Sequence, residues 1–294
     1  MSALLRRVAL VSAAAAVGCN GGAGTAGAGS PPAPAPVTGV APASVRGPAP
    51  LRYSPGVTRY LIVQRHHIDN TLPTGNQVQE IGLNTYITTV ITGPADARGY
   101  AFSLTIDSIL ADSTTLLPPN IDLQAARGLR YDAHLSPSGQ LINAQPSDPA
   151  VAKTLSQLLG GFRTFYPRLP AAGINPGSAW TDSSETTDTT GSGIVRDRSV
   201  TRYVTGDWES PSGVRQLGIQ LAEDFTVSGS GQAQGTTFAL SGTGIRAGRL
   251  LVSAVGRFLG GTTTDSAGMV ITFDPQGMAI PRHQVSHTTI TVLP

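Results

Sequence analysis

Few residues in this chain could do chemistry, and their spacing decides which of them could act together. His66 and His67 are adjacent, so on a strand they leave on opposite faces and cannot hold one ion. His283 and His287 would share a strand face, yet four residues at about 3.3 Å each set them roughly 13 Å apart, too far for one metal. On a helix that spacing would serve, but the β-rich run Thr288 to Val292 argues for a strand. His134 precedes a turn and is expected to face solvent. Asp182, Glu185 and Asp188 stand in a run of Ser and Thr, where carboxylates and hydroxyls could take calcium. The alternating acids and central glycine of a loop-type calcium site are missing, and an exposed, polar edge strand or loop explains the run better. Gly229-Ser230-Gly231 lacks the Gly-x-Ser-x-Gly frame of a nucleophile elbow and is expected in a loop. Asp107 with Asp112, or Glu223 with Asp224, could pair as the two carboxylates of a glycosidase do. Trp180, Trp208, Tyr60, Tyr86 and Tyr100 could stack on sugar rings, with core packing as the competing role. No catalytic residue, metal site or cofactor is assigned on these grounds.

The remaining candidate is Cys19, the single cysteine among 294 residues. Arg6 and Arg7 precede an apolar stretch, Val8 to Val17, of secretory-leader length and short of the roughly 20 residues a membrane span needs. The run Ala16-Val17-Gly18-Cys19 resembles the lipobox of bacterial lipoproteins, in which signal peptidase II cuts before a cysteine that carries diacylglycerol. The resemblance implies a signal peptide over 1–18, lipid attachment at Cys19 and a membrane partner reached through the acyl anchor. Ala16 stands where that family usually has Leu. An ordinary leader cut within Ala13 to Ala16, leaving a free thiol, is the alternative. Asn20 in place of Asp favours the outer membrane, periplasmic face, if the host is Gram-negative.

Without residues 1–18 the chain carries 18 basic residues (20 less Arg6 and Arg7) against 18 acidic ones. That neutrality gives no electrostatic case for a nucleic-acid partner. Lys153 is the only lysine. With one cysteine no internal disulfide can form, so the fold must rest on its core.

The elements that must position these residues begin after residue 50. Residues 19–50 are dominated by Gly, Ala, Ser, Pro, Thr and Val, and such a segment is expected to be a disordered tether. Residues 51–294 read as a β-rich domain with period-two alternation. Strands are expected at 58–67, 78–92, 101–111, 129–135, 140–144, 179–189, 194–208, 214–228, 236–245, 250–258, 269–273 and 278–292. Three turns, at Ser136, Ser210 and Asp274, each run oxygen side chain, Pro, x, Gly, the preference of a type I turn, so three hairpins are expected. The flanks of the first and third turns match. This suggests two related halves, 51–147 and 168–294, with simple reuse of a good turn as the alternative. Between them Asp148 caps, Pro149 opens, and Val151, Leu155, Leu158, Leu159 and Phe162 make the apolar stripe of a helix over about 149–166. The expected fold is mainly β: antiparallel curved sheets or half-barrels, with that helix covering a sheet face or plugging the half-barrel.

The stretch Phe165-Tyr166-Pro167-Arg168-Leu169-Pro170, continuing to Gly177-Ser178-Ala179-Trp180, resembles a segment of an uncharacterised family of all-β bacterial lipoproteins. The hairpin run Phe273-Asp274-Pro275-Gln276-Gly277 is similar to the closing strands of the same family. The resemblance implies a fold and brings no catalytic residues. The functional expectation is a lipid-anchored envelope protein with a non-enzymatic binding or structural β domain, its ligand or envelope partner open. A carrier of lipid or other apolar ligand in an unclosed barrel comes second, and an envelope-polymer hydrolase third.

Overall fold

The computed structural model describes residues 51–294, apart from residues 97, 114, 116–120, 156–164, 191–192, 234–235 and 275–276. Cys19, the leader and the tether lie outside the described residues. Eleven strands form one antiparallel sheet: β1 (Gly56–Leu72), β2 (Gly75–Asp96), β3 (Gly99–Ala111), β4 (Arg130–Leu135), β5 (Leu141–Pro146), β6 (Ala179–Thr190), β7 (Gly193–Glu209), β8 (Gln216–Ala233), β9 (Thr236–Ser253), β10 (Phe258–Asp274) and β11 (Met278–Leu293). Their order is β5-β4-β3-β2-β1-β11-β10-β9-β8-β7-β6. Every neighbour is a sequence neighbour except β1 and β11, which pair antiparallel and join the two arms. The sheet is unclosed, with its seam between β5 and β6.

Strand parity explains the chain between those two edges. Counting antiparallel steps outward from β1, β5 and β6 both run in the direction of β1, so they are parallel to each other. No hairpin can join parallel strands, and a crossover is required. Residues 147–178 supply it, and of these the described stretch 165–178 packs against the inside of the sheet. Ile174 and Leu51 exchange backbone hydrogen bonds of 2.8 and 3.1 Å, Leu169 donates to the Ser138 carbonyl at 2.7 Å, and the Tyr53 hydroxyl donates to the Pro167 carbonyl at 2.8 Å. Leu155, Phe165, Tyr166, Leu169 and Ile174 from this connector enter the larger apolar core. Phe165 lies 4.9 Å from Tyr60 and 5.3 Å from Phe258, ring centre to ring centre, in edge-on contacts.

The helix differs from the sequence expectation. Asp148 does cap α1 (Pro149–Thr154), accepting from the Ala150 and Val151 amides at 2.9 and 3.0 Å, but Leu155 already ends it. Leu158, Leu159 and Phe162 lie outside the described residues, and Phe165 and Tyr166 are not helical. Pro167 steers the residue before it away from helical backbone. The interior is filled by these non-helical aromatics, since no residue of α1 itself is buried.

All three hairpins form, joining β4 to β5, β7 to β8 and β10 to β11. Two expected strands, 236–245 and 250–258, are instead the single β9, and β10 begins eleven residues before the expected 269. Gly248, the glycine between them, and the glycines before it mark close packing, not a loop. Gly242 and Gly244 face inward, where a Cβ would run into the Met269 side chain and the Phe225 ring respectively. Gly229-Ser230-Gly231 likewise lies within β8, not in a loop.

Candidate functional site

Alternation assigns each strand residue to the concave or the convex face. The convex face carries exposed ion pairs: Arg65 with Asp112 at 3.1 Å, Arg198 with Glu185 at 3.1 Å and Arg202 with Asp224 at 2.9 Å. Its apolar residues, among them Val200, Val204 and Ile245, are scattered singly. A membrane-spanning barrel turns apolar side chains outward and polar ones inward, which is the reverse arrangement. The convex face therefore meets water. No helix among the described residues is long and apolar enough to cross a membrane.

The concave face holds two apolar clusters at opposite ends. The larger contains the connector, with Tyr60, Ile87, Leu104, Leu217, Ile219 and Phe258 around it. The smaller has Phe225, Val227, Phe238, Leu240, Met269, Ile271, Phe273 and Ile280, and no described connector residue. Between them runs a polar row. Following the register across the sheet, it reads His66, Ser286, Asp265, Arg246, Glu223, Thr201 and Asp182 on β1, β11, β10, β9, β8, β7 and β6.

Most of this row is internally matched. Arg246 Nε donates to Asp265 Oδ1 at 2.5 Å, its Nη1 stands 3.4 Å from Glu223, and Thr201 donates to Glu223 at 2.9 Å. Burial works against the Arg246 charge, but Asp265 and Glu223 outweigh it and hold its pKa above the ordinary value. Asp182 closes the row through Arg168 of the connector at 3.2 Å. His66 Nδ1 meets Ser286 Oγ at 2.8 Å. Burial lowers the pKa of His66 despite Asp265 nearby, which favours the neutral ring, and its tautomer sets which of the two groups donates. This hydroxyl–imidazole pair escaped the sequence reading because 220 residues separate its members. Only strand parity, with the β1–β11 pairing known, could have found it.

The other candidates are dispersed. His67 turns outward to Glu80, while His283 and His287 sit on the convex side beside Ser266 and Thr264. His134 is half-buried on β4, less open than expected. Glu223 and Asp224 point to opposite faces and bind different arginines, so they cannot flank one bond. Asp107 accepts from Thr88, and Asp112 pairs with Arg65. Asp182 and Glu185 are split between faces of β6, an edge strand, which decides between the strand and loop left open by the sequence. The side chain of Asp188 lies outside the described residues. Among the described residues no three metal-ligating side chains gather. The aromatics form no shared platform. Tyr60 is buried in the core, donating to the Phe258 carbonyl at 2.9 Å, and burial raises its pKa far above the ordinary tyrosine value. Trp180 stacks on Tyr203 at 4.9 Å, while Trp208 lies under the Arg215 guanidinium.

No family model matches this sequence, and no curated protein matches it either. Among solved structures, the chain is similar to the crystal structure of Pseudomonas aeruginosa OccK2 (OpdF), with a TM-score of 0.29 and 8% identity over 81% of this chain and 98% of that chain. The same protein in complex with glucuronate gives a TM-score of 0.26 at 8% identity and the same coverage. Overlap at this level bears on neither fold nor function, which rest on the geometry above.

Proposed function

We propose that this chain is a lipid-anchored cell-envelope protein, held through acylated Cys19 at the periplasmic face of the outer membrane, whose β domain binds a ligand or partner without transforming it. The observation that carries the binding role is the divided interior. The connector fills one end of the concave face, and the other end keeps a separate apolar cluster with no described connector residue in it. Concave, largely apolar surfaces with a few placed polar groups are where ligands bind. Support for the anchor comes from Arg6, Arg7, the short apolar stretch and the run ending in Cys19. Two or three acyl chains on one terminus hold firmly, because each buried methylene adds about 0.8 kcal/mol.

Fractionation tests the anchor directly. Cys19→Ser should move the protein from the membrane to the soluble fraction with its β circular dichroism unchanged, and the wild-type N-terminal peptide should carry an acyl mass. A mutant that stays in the membrane, or a wild type without that mass, overturns the anchor.

A second reading, a carrier of lipid or another apolar ligand, is favoured by the smaller apolar cluster within an unclosed sheet. Mass spectrometry of organic extracts from leader-free protein separates the readings. No co-purifying lipid counts against the carrier.

A further inference from the structure

On the concave face, Arg282 has no counter-charge among the described residues. Arg282 follows the polar row along β11 toward the smaller apolar cluster, facing Asn70 on β1 and Met269 on β10. It is 2% exposed, and its Nε donates to Asn70 Oδ1 at 2.7 Å. Nη1 and Nη2 are buried and have no partner. No carboxylate offsets its burial, which alone brings its pKa down to about 10. Gln284 and Gln79, one step back toward the polar row, each leave an amide oxygen buried and unpartnered. A buried charge without a partner weakens a fold, and a group kept at that cost points to a role outside folding. A guanidinium fork with two free nitrogens is shaped for the paired oxygens of a carboxylate or phosphate. Beside it stand Met269, Ile271, Ile280 and Phe273, all buried apolar side chains.

We propose that the smaller-cluster end of the interior receives an amphiphile with a single carboxylate or phosphate head, the head on Arg282 and the apolar body against Met269, Ile271, Ile280 and Phe273. The inference rests on reading the concave interior as a binding surface, and it adds the class of ligand. Entry needs the two arms of the sheet to part, because the Arg282 nitrogens are out of contact with solvent. The unclosed sheet permits this: at this end its edges are β2, whose residues 75–82 lie beyond the last β3 pair at Leu83, and β6, and the two are not paired, so the arms can separate without breaking a strand ladder.

The test is isothermal titration and thermal shift on the full mature chain carrying Cys19→Ser. The probes are oleate, oleoyl lysophosphatidate, oleyl alcohol, acetate and inorganic phosphate. At least one of the two acids should bind, with oleyl alcohol about tenfold weaker or more, the loss set by one charge-assisted hydrogen-bond pair. The preference between the acids identifies the headgroup. Arg282→Met should bring the acid's affinity down to that of the alcohol, and it should raise the Tm of the empty protein by removing an unpaired buried charge. Arg282→Lys should keep part of the preference.

Several results would overturn the proposal. Oleyl alcohol binding as tightly as the acids removes the role of Arg282 and leaves the interior standing as a binding surface. Acetate or phosphate binding as tightly as the amphiphiles removes the apolar half. An Arg282→Met protein that melts lower than wild type, or fails to fold, shows a guanidinium already compensated within the fold. Failure of both acids to bind refutes the ligand class, while the broader binding role is still judged by what co-purifies with the protein.

Discussion

Phe165→Ala tests whether the connector holds the half-barrel together. Phe165 is 6% exposed and meets Tyr60, Tyr166 and Phe258 at centroid distances of 4.9, 5.1 and 5.3 Å. Truncating a buried Phe to Ala costs about 3–5 kcal/mol through lost transfer energy and the cavity left behind. Each aromatic pair adds about 0.5–1.5 kcal/mol beyond its area, so three such contacts put this site at the upper end, about 4–5 kcal/mol. For a folded region of this size each kcal/mol moves the Tm by about 2–4 °C, so the midpoint should fall by roughly 8–20 °C. Urea denaturation followed by near-ultraviolet circular dichroism measures the loss. In a double-mutant cycle with Phe258→Ala, the coupling should be about 1 kcal/mol. A loss below about 1 kcal/mol, with no coupling, would falsify the placement of the connector as the core of this end.

Two further outcomes follow from the polar row. Arg246→Met leaves Glu223 and Asp265 buried without their cation and should cost about 3–5 kcal/mol in urea unfolding, against the stabilisation expected of Arg282→Met. His66 has a folded pKa below its unfolded value of about 6.5, so the unfolded chain takes up the proton first. Its neutral form supports full stability above about pH 6.5, and that contribution is lost as pH falls from there through the folded pKa. Comparing wild type with His66→Gln by urea unfolding from about pH 8 to about pH 4.5 should show a steeper acid loss in wild type, and equal slopes count against the buried neutral ring.

Strand positions were legible wherever polar and apolar residues alternate, as in β8, whose inward Ile219, Leu221, Phe225 and Val227 alternate with outward residues such as Gln220, Asp224 and Thr226. Reading failed at Arg246-Ala247-Gly248-Arg249, where the expected strands break but β9 runs on, because Gly248 looks like a turn residue until the Thr262 carbonyl and Thr263 are seen close against it. Proline-glycine turns named the hairpins, since that chemistry is local. The polar row was not legible. Its members come from seven strands, and nothing local marks Thr201, Ser286 or Asp265 as sharing one line across the sheet. Helical spacing puts Phe165 and Tyr166 at the end of a helix, whereas their burial follows from a crossover that only the parity of the whole sheet requires.

The N-terminal approach to β1 has a mechanical consequence. β1 is gripped on both sides, along its whole length by β2 and from Arg59 to Asn70 by β11, so it is an interior strand of the sheet and not a peelable edge. Tension arriving from residues before Leu51 would load both ladders in shear, the direction in which many hydrogen bonds resist together. Before it reached them it would strain Leu51 against Ile174 and Tyr53 against Pro167, the contacts that seat the connector. A pull on this terminus is thus felt first by the plug inside the sheet and only afterwards by the sheet.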